Sequence, residues 1–243
     1  MLSRKTKLAL VAAASMLVSV AAQAVPVFSL TNVTGVWQNV VPQSALTEIE
    51  YQTVGGVTQV RWGQNVKPIN QKSGYGFDGA APAAVPFFLG TDFLLGTFTH
   101  YNLPISLNSS ILSAELLVNF SITVDDVVVG DVVLASFLHN ETNNQTCSPK
   151  PSCTDDHVTL TATSGTTIFN YAGFEYTLDI IGFSTNGGAT TIETFDTIEN
   201  RNNTAGLYAT LTSRPISVPE PGTLGLFGMA LLAIGFMKRR QTV

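Results

Sequence analysis

Between residues 27 and 215 the chain is a succession of short runs rich in Val, Ile, Thr, Phe and Tyr, broken by Gly, Asn, Asp and Pro. β-Branched and aromatic side chains suit a pleated, half-buried surface, and the breaking residues suit turns. Residues 45–54, 57–63, 93–102, 111–124, 132–140, 157–163, 174–184 and 206–213 are therefore predicted as strands. Over 175–181 apolar and polar positions partly alternate, the period of a sheet with one wetter face. Gly55-Gly56 between two runs predicts a hairpin. No stretch of the region has the apolar spacing and caps of a convincing amphipathic helix. About nine to twelve strands in about 190 residues predict an all-β fold, an antiparallel β-sandwich of jelly-roll type. Without a fixed-period repeat or a dividing linker, residues 25–217 read as one domain.

The two ends depart from this pattern. Arg4, Lys5 and Lys7 precede an apolar run over 8–20, and Ala22-Gln23-Ala24 follows. A positive start, a short apolar core and small residues at −3 and −1 describe a secretory signal peptide over 1–24, cleaved between Ala24 and Val25. As a helix that core spans only about 20 Å of a hydrocarbon layer roughly 30 Å thick, which argues against a retained anchor. At the other end Pro219-Glu220-Pro221-Gly222-Thr223 leads into an apolar run over 224–237, then Lys238-Arg239-Arg240. That run makes about 21 Å of helix, marginal as a permanent transmembrane span unless the basic cluster snorkels. The same cluster is expected to stay cytoplasmic as a membrane stop. The prolines keep helix from spreading backwards, leaving an extended tripeptide open to a processing enzyme.

In this order, Pro219-Glu220-Pro221, the apolar helix and the Arg-rich end resemble a PEP-CTERM protein-sorting tail over 218–243, the bacterial signal recognised by an exosortase. The resemblance implies cutting near the Pro-Glu-Pro motif, transient inner-membrane insertion, and delivery to the cell surface or extracellular matrix. Its implied partners are the exosortase, the secretion translocon and signal peptidase, with exopolysaccharide as a neighbour.

Charge and cysteine content agree with export. Charged residues make up 12% of the chain, about half the usual quarter. Between Val25 and Val218 stand six basic and sixteen acidic residues, a net of −10. Such a surface repels phosphate backbones, so nucleic acid is not an expected partner. Cys147 and Cys153, an even and closely spaced pair in an exported chain, are expected to form a disulfide. Its loop is short, so its contribution falls below the ~3 kcal/mol of a 15-residue loop.

A second resemblance lies inside the domain. Gly96-Thr97-Phe98-Thr99-His100-Tyr101-Asn102, with Pro104-Ile105 beyond, resembles the signature of the THxN family of PEP-CTERM proteins, which overlaps the choice-of-anchor K domain. Trp37, Val60-Arg61-Trp62-Gly63, Thr197-Ile198-Glu199 and Asn202-Asn203-Thr204-Ala205 extend the likeness over most of 27–214. Leu103 departs from it, standing where many members have a second Asn. The family implies an exported β domain and no established activity.

In a strand Phe98, His100 and Asn102 share one face, with Thr99 and Tyr101 on the other. His100 is thus expected to hydrogen-bond with Asn102 or a neighbouring strand and to pin the turn at Pro104. In the sequence it has no evident metal-ligating partner, so no metal site is expected. His139 and His157 flank the cysteine loop and are placed to approach each other. Acidic groups at Asp125, Asp126 and Asp131, and at Asp155 and Asp156, are weighed as calcium ligands on exposed loops, but neither has EF-hand spacing. No Gly-x-Ser-x-Gly, His-Glu-x-x-His or phosphate loop is present, and no catalytic residue is assigned. Trp37 and Trp62 are expected in the core rather than exposed for stacking on sugars. The expected role is a non-enzymatic surface or matrix module; a carbohydrate-binding module and a surface hydrolase are the alternatives.

Overall fold

The computed structural model describes residues 26–80, 85–142, 155–163 and 166–216, and residue 229. The expected signal and sorting helices, the cleavage pair Ala24 and Val25, Pro219-Glu220-Pro221, Lys238-Arg239-Arg240 and the Cys147–Cys153 pair lie outside the described residues. Among the described residues no helix is long and apolar enough to cross a membrane.

Thirteen strands are described: β1 (Phe28–Pro42), β2 (Ile49–Val54), β3 (Val57–Trp62), β4 (Ser73–Gly79), β5 (Val85–Phe87), β6 (Asp92–Asn102), β7 (Ile111–Val124), β8 (Val127–Asn140), β9 (Asp156–Thr163), β10 (Thr166–Tyr171), β11 (Phe174–Ser184), β12 (Thr194–Thr197) and β13 (Arg201–Pro215). They form two antiparallel sheets. One has the order β12-β9-β8-β7-β1-β5, the other β10-β11-β13-β6-β4-β3-β2.

Period-two burial decides which face of each strand turns inward. In β7 it runs without a break through Ala114, Leu116, Val118, Phe120, Ile122 and Val124, all buried. In β8 it takes Val133, Ala135, Phe137 and His139. The inward residues of both sheets belong to one hydrophobic core. Aromatic pairs bridge the layers: Trp37 of β1 meets Tyr75 of β4 at 5.5 Å, Phe98 of β6 meets Phe137 of β8 at 5.3 Å, and Phe28 of β1 meets Tyr176 of β11 at 5.5 Å between ring centroids. Fully burying each such ring contributes about 1.5–3 kcal/mol, which is enough to hold the sheets face to face. Both tryptophans are in this core, Trp62 without exposed surface.

Turn chemistry follows the sequence closely. Gly55 and Gly56 join β2 to β3 with φ of 60° and 91°. Asp125 and Asp126 join β7 to β8 with φ of 46° and 64°. Positive φ at both central residues is the hairpin turn whose twist matches the strands. These two aspartates are thus turn formers, and Asp125 Oδ2 accepts the Tyr171 hydroxyl at 3.0 Å.

Strands β1, β5, β10 and β12 lie outside the expected runs, and three further differences have a local cause. The strand expected from residue 132 begins at Val127, because Val127–Gly130 pair in register with Val124–Ser121 of β7. Asp131, which looked like a break, turns its carboxylate onto the next backbone N–H, Val132 N, at 2.7 Å. The strand expected from residue 45 begins at Ile49, since residues 43–48 form a turn in which Ser44 Oγ accepts the Leu46 N–H. β4, outside the named runs, reads Ser-Gly-Tyr-Gly-Phe-Asp-Gly. Its glycines answer close backbone approach: a Cβ on Gly79 would stand 1.9 Å from the Val33 carbonyl oxygen.

Candidate functional site

The inward stripes of β6 and β8 change character near their C-terminal ends. In β6, Phe98 is followed two residues on by His100 and then Asn102, all buried, while Thr99 and Tyr101 are half-exposed on the outer face. In β8, Phe137 is followed by His139. Because these strands belong to opposite sheets, the two histidines meet across the core with ring centroids 5.2 Å apart and nearly perpendicular. Trp62 and Tyr75 wall them in, at 6.1 and 5.2 Å from His100 and 5.2 and 5.6 Å from His139. Asp156, the first residue of β9, completes the group without exposed surface.

Hydrogen bonding sets the state of each group. Thr197 Oγ1, on β12, donates its single proton to the Asp156 carbonyl at 3.1 Å, since a carbonyl can only accept. It lies 2.7 Å from His100 Nδ1 and therefore accepts from it. His100 is thus the Nδ1–H tautomer, and its Nε2 carries a bare lone pair. Asn102 Nδ2 donates to the Thr197 carbonyl at 3.0 Å. Tyr75 Oη and His139 Nδ1 are 2.7 Å apart, and His139 Nε2 stands 3.2 Å from Glu141 Oε2. Glu141 Oε2 also accepts the Ser110 hydroxyl at 2.9 Å. Asp156 Oδ1 accepts the backbone N–H and the hydroxyl of Thr142 at 2.8 and 3.2 Å.

Four buried atoms of this cluster have no hydrogen-bond partner: His100 Nε2, Asn102 Oδ1, Glu141 Oε1 and Asp156 Oδ2. Burial, with the neighbouring His139 and Arg61, holds His100 well below the ordinary histidine pKa and keeps it neutral. Burial and the Glu141 charge push Asp156 up to about 6, against the pull of Thr142 and His139. Burial, Asp156 and Glu141 push Glu199 up to about 7, against hydrogen bonds from the Asn200 backbone and the Asn102 side chain. Burial drives the Tyr75 hydroxyl well upward, with Asp156 and Glu141 adding to it. The site is crowded with negative charge in a dry setting.

The structure thus brings His100 and Asn102 of the Thr-His-x-Asn string together with His139, Glu141, Asp156, Thr197 and Glu199. Of the two partners expected for His100, Asn102 or a neighbouring strand, Asn102 is not the one: both residues bond to Thr197, on a strand of the opposite sheet. The Pro104 turn is tied instead by Ser73, whose hydroxyl bonds the Tyr101 and Leu103 carbonyls at 3.0 and 3.1 Å. Leu103 is bonded there through its backbone, its N–H donating to Ser73 Oγ at 3.1 Å. Asp156 was weighed as an exposed loop ligand and is instead buried, because its carboxylate caps Thr142 and its backbone pairs with Thr197. His157 borders one surface groove with His139 but is not part of the buried group that His139 forms with His100 and Asp156. Period two sends the His157 ring to the outer face, where its Nδ1 lies 2.6 Å from Asp196 Oδ1. A signal for His139 was present in the sequence: it continues the apolar alternation of Val133, Ala135 and Phe137.

Residues 217–240 match the PEP-CTERM protein-sorting motif. The chain carries an exosortase sorting signal. With it come export and membrane-associated sorting to the surface, and exosortase processing. No curated protein matches the chain.

Proposed function

We propose that this chain is a non-catalytic β module of the bacterial cell surface or exopolysaccharide matrix, of the THxN and choice-of-anchor K kind. On this reading the translocon and signal peptidase act on residues 1–25, 224–237 halts transfer, and Pro219-Glu220-Pro221 is cut by the exosortase. The sorting motif over 217–240 carries the reading. Two further features support it. The stretch outside the terminal signals is strongly acidic, as suits a soluble module in a hydrated matrix. The chain crosses repeatedly between two antiparallel sheets around one core, in keeping with a jelly-roll sandwich. Against a surface hydrolase stands the burial of His100 and Asp156, which leaves them no surface for a substrate. Turnover by the purified protein that vanishes in His100→Ala with the fold intact would restore the hydrolase.

The test is the intact mass of protein isolated from its native host, together with its extracellular fraction. The expected mass lacks residues 1–24 and the apolar tail. Residues 224–243 still attached on surface material would refute processing. A carbohydrate-binding role has one supporting observation: Tyr51, 56% exposed, stands in a surface groove of about 300 Å³ with Gln52, Thr53, Thr58 and Gln59. An exposed ring flanked by amides and hydroxyls suits a sugar face. Polysaccharide pull-down weakened by Tyr51→Ala would favour this role, and no retention on any polymer would remove it.

A further inference from the structure

We propose that His100, His139 and Asp156 bind a divalent transition cation, zinc fitting best, which ties the two sheets together across the core. One nitrogen of each imidazole and one carboxylate oxygen lie within 4.8 Å of one another. Tetrahedral bonds of about 2.0–2.1 Å place ligands about 3.4 Å apart. The widest pair therefore closes by about 1.4 Å at most, within the reach of small side-chain rotations.

The unpartnered atoms argue for a missing occupant. His100 Nε2 and Asp156 Oδ2 are fully buried and unbonded, and Glu141 Oε1 beside them is in the same condition. Buried polar atoms normally find partners, because leaving one unsatisfied costs about 1–3 kcal/mol. Three in one cluster are better explained by a ligand than by tolerated loss. The surrounding bonds also have the form that a metal requires. A ligating histidine donates its second ring N–H to a fixed acceptor, which sets the tautomer and aims the lone pair. Thr197 does this for His100 through the 2.7 Å bond, and Tyr75 is placed at 2.7 Å to do the same for His139. The His139 Nε2–Glu141 bond is then exchanged for the metal.

The chemistry of the donors selects the ion. Two imidazoles with carboxylate oxygen suit zinc and its first-row neighbours, whereas calcium takes six to eight oxygens. Asp156 and Glu141, both at the cluster, are carboxylates whose negative charge a dication offsets. Glu141, with Gln43, Ser110 and Thr142, lines a cavity of about 180 Å³, which borders the cluster through the Glu141–His139 contact. His100 comes from the seven-stranded sheet, and His139 and Asp156 from the six-stranded one, so the bound ion is a clamp between layers.

The test uses the full chain, stripped by chelator and titrated with Zn²⁺ against a chromophoric competitor, with Co²⁺ absorption as the reporter of geometry. The expected result is one equivalent of Zn²⁺, a tetrahedral cobalt spectrum and a raised melting temperature that chelator reverses. His100→Asn keeps a donor toward Thr197 but lacks Nε2, and is expected to weaken binding by more than about 100-fold. That exceeds the ~10–100-fold cost of losing an outer partner, expected here for Thr197→Val. Asp156→Asn keeps an acceptor for Thr142 and serves if His100→Asn fails to fold by circular dichroism. His157→Ala, which removes a ring held on the outer face against Asp196, is expected to bind as the parent does. No Zn²⁺ bound by the parent chain, or unchanged affinity in a folded His100→Asn or Asp156→Asn variant, overturns the proposal.

Discussion

Replacing Thr197 by valine removes one oxygen atom and nearly nothing else, since the two side chains have almost the same shape. That oxygen accepts from His100 Nδ1 at 2.7 Å and donates to the Asp156 carbonyl at 3.1 Å, and both partner residues are fully buried. Without it the imidazole N–H has no acceptor in a dry site, at about 1–3 kcal/mol. The carbonyl loses one of its acceptor contacts and adds about 1 kcal/mol, so the whole change is about 2–4 kcal/mol. For a urea slope of about 1–3 kcal/mol/M, the midpoint falls by about 0.7–4 M. Chelator-treated parent and variant proteins are compared by urea unfolding followed by tryptophan fluorescence, which reports Trp37 and Trp62 inside the same core. A second readout separates this reasoning from a generic loss of stability. Nitrogen-15 spectroscopy of the parent is expected to show His100 as the Nδ1–H tautomer, and the variant to lose that preference. A change below about 0.5 kcal/mol, or an Nε2–H tautomer in the parent, refutes the relay from His100 through Thr197 to Asp156.

Two further changes probe the frame and the outer surface. Gly79→Ala forces a methyl group to 1.9 Å from the Val33 carbonyl oxygen, a backbone atom that cannot swing aside; overpacking of this kind costs about 1–3 kcal/mol, read as a lowered melting temperature. His157→Ala deletes an exposed pair with Asp196 and is expected to change the urea midpoint no more than a typical surface substitution, within about 0.5 kcal/mol.

Much of the β architecture is legible along the chain because its causes are local. Alternation in 111–124 gives β7 its inward face, and Gly55-Gly56 gives the β2–β3 turn. The same period places Phe98, His100 and Asn102 on one side of β6. β4 was harder to read. Its glycines look like loop residues until Val33 is seen pressing on Gly79, and a neighbour from another strand leaves no trace in local propensity.

The acidic outer surface, the strand pattern and the terminal sorting signal thus belong to the sequence alone, since composition, period two and a contiguous motif can be read without knowing what lies opposite. The cluster belongs to the tertiary structure. Thr197 is 97 residues from His100 along the chain, and His139 reaches it from the other sheet. A period of two says which way a side chain points, but only the pairing of sheets says what it meets. For that reason His100 has no evident partner in the sequence and stands in the fold beside a second imidazole and a buried carboxylate.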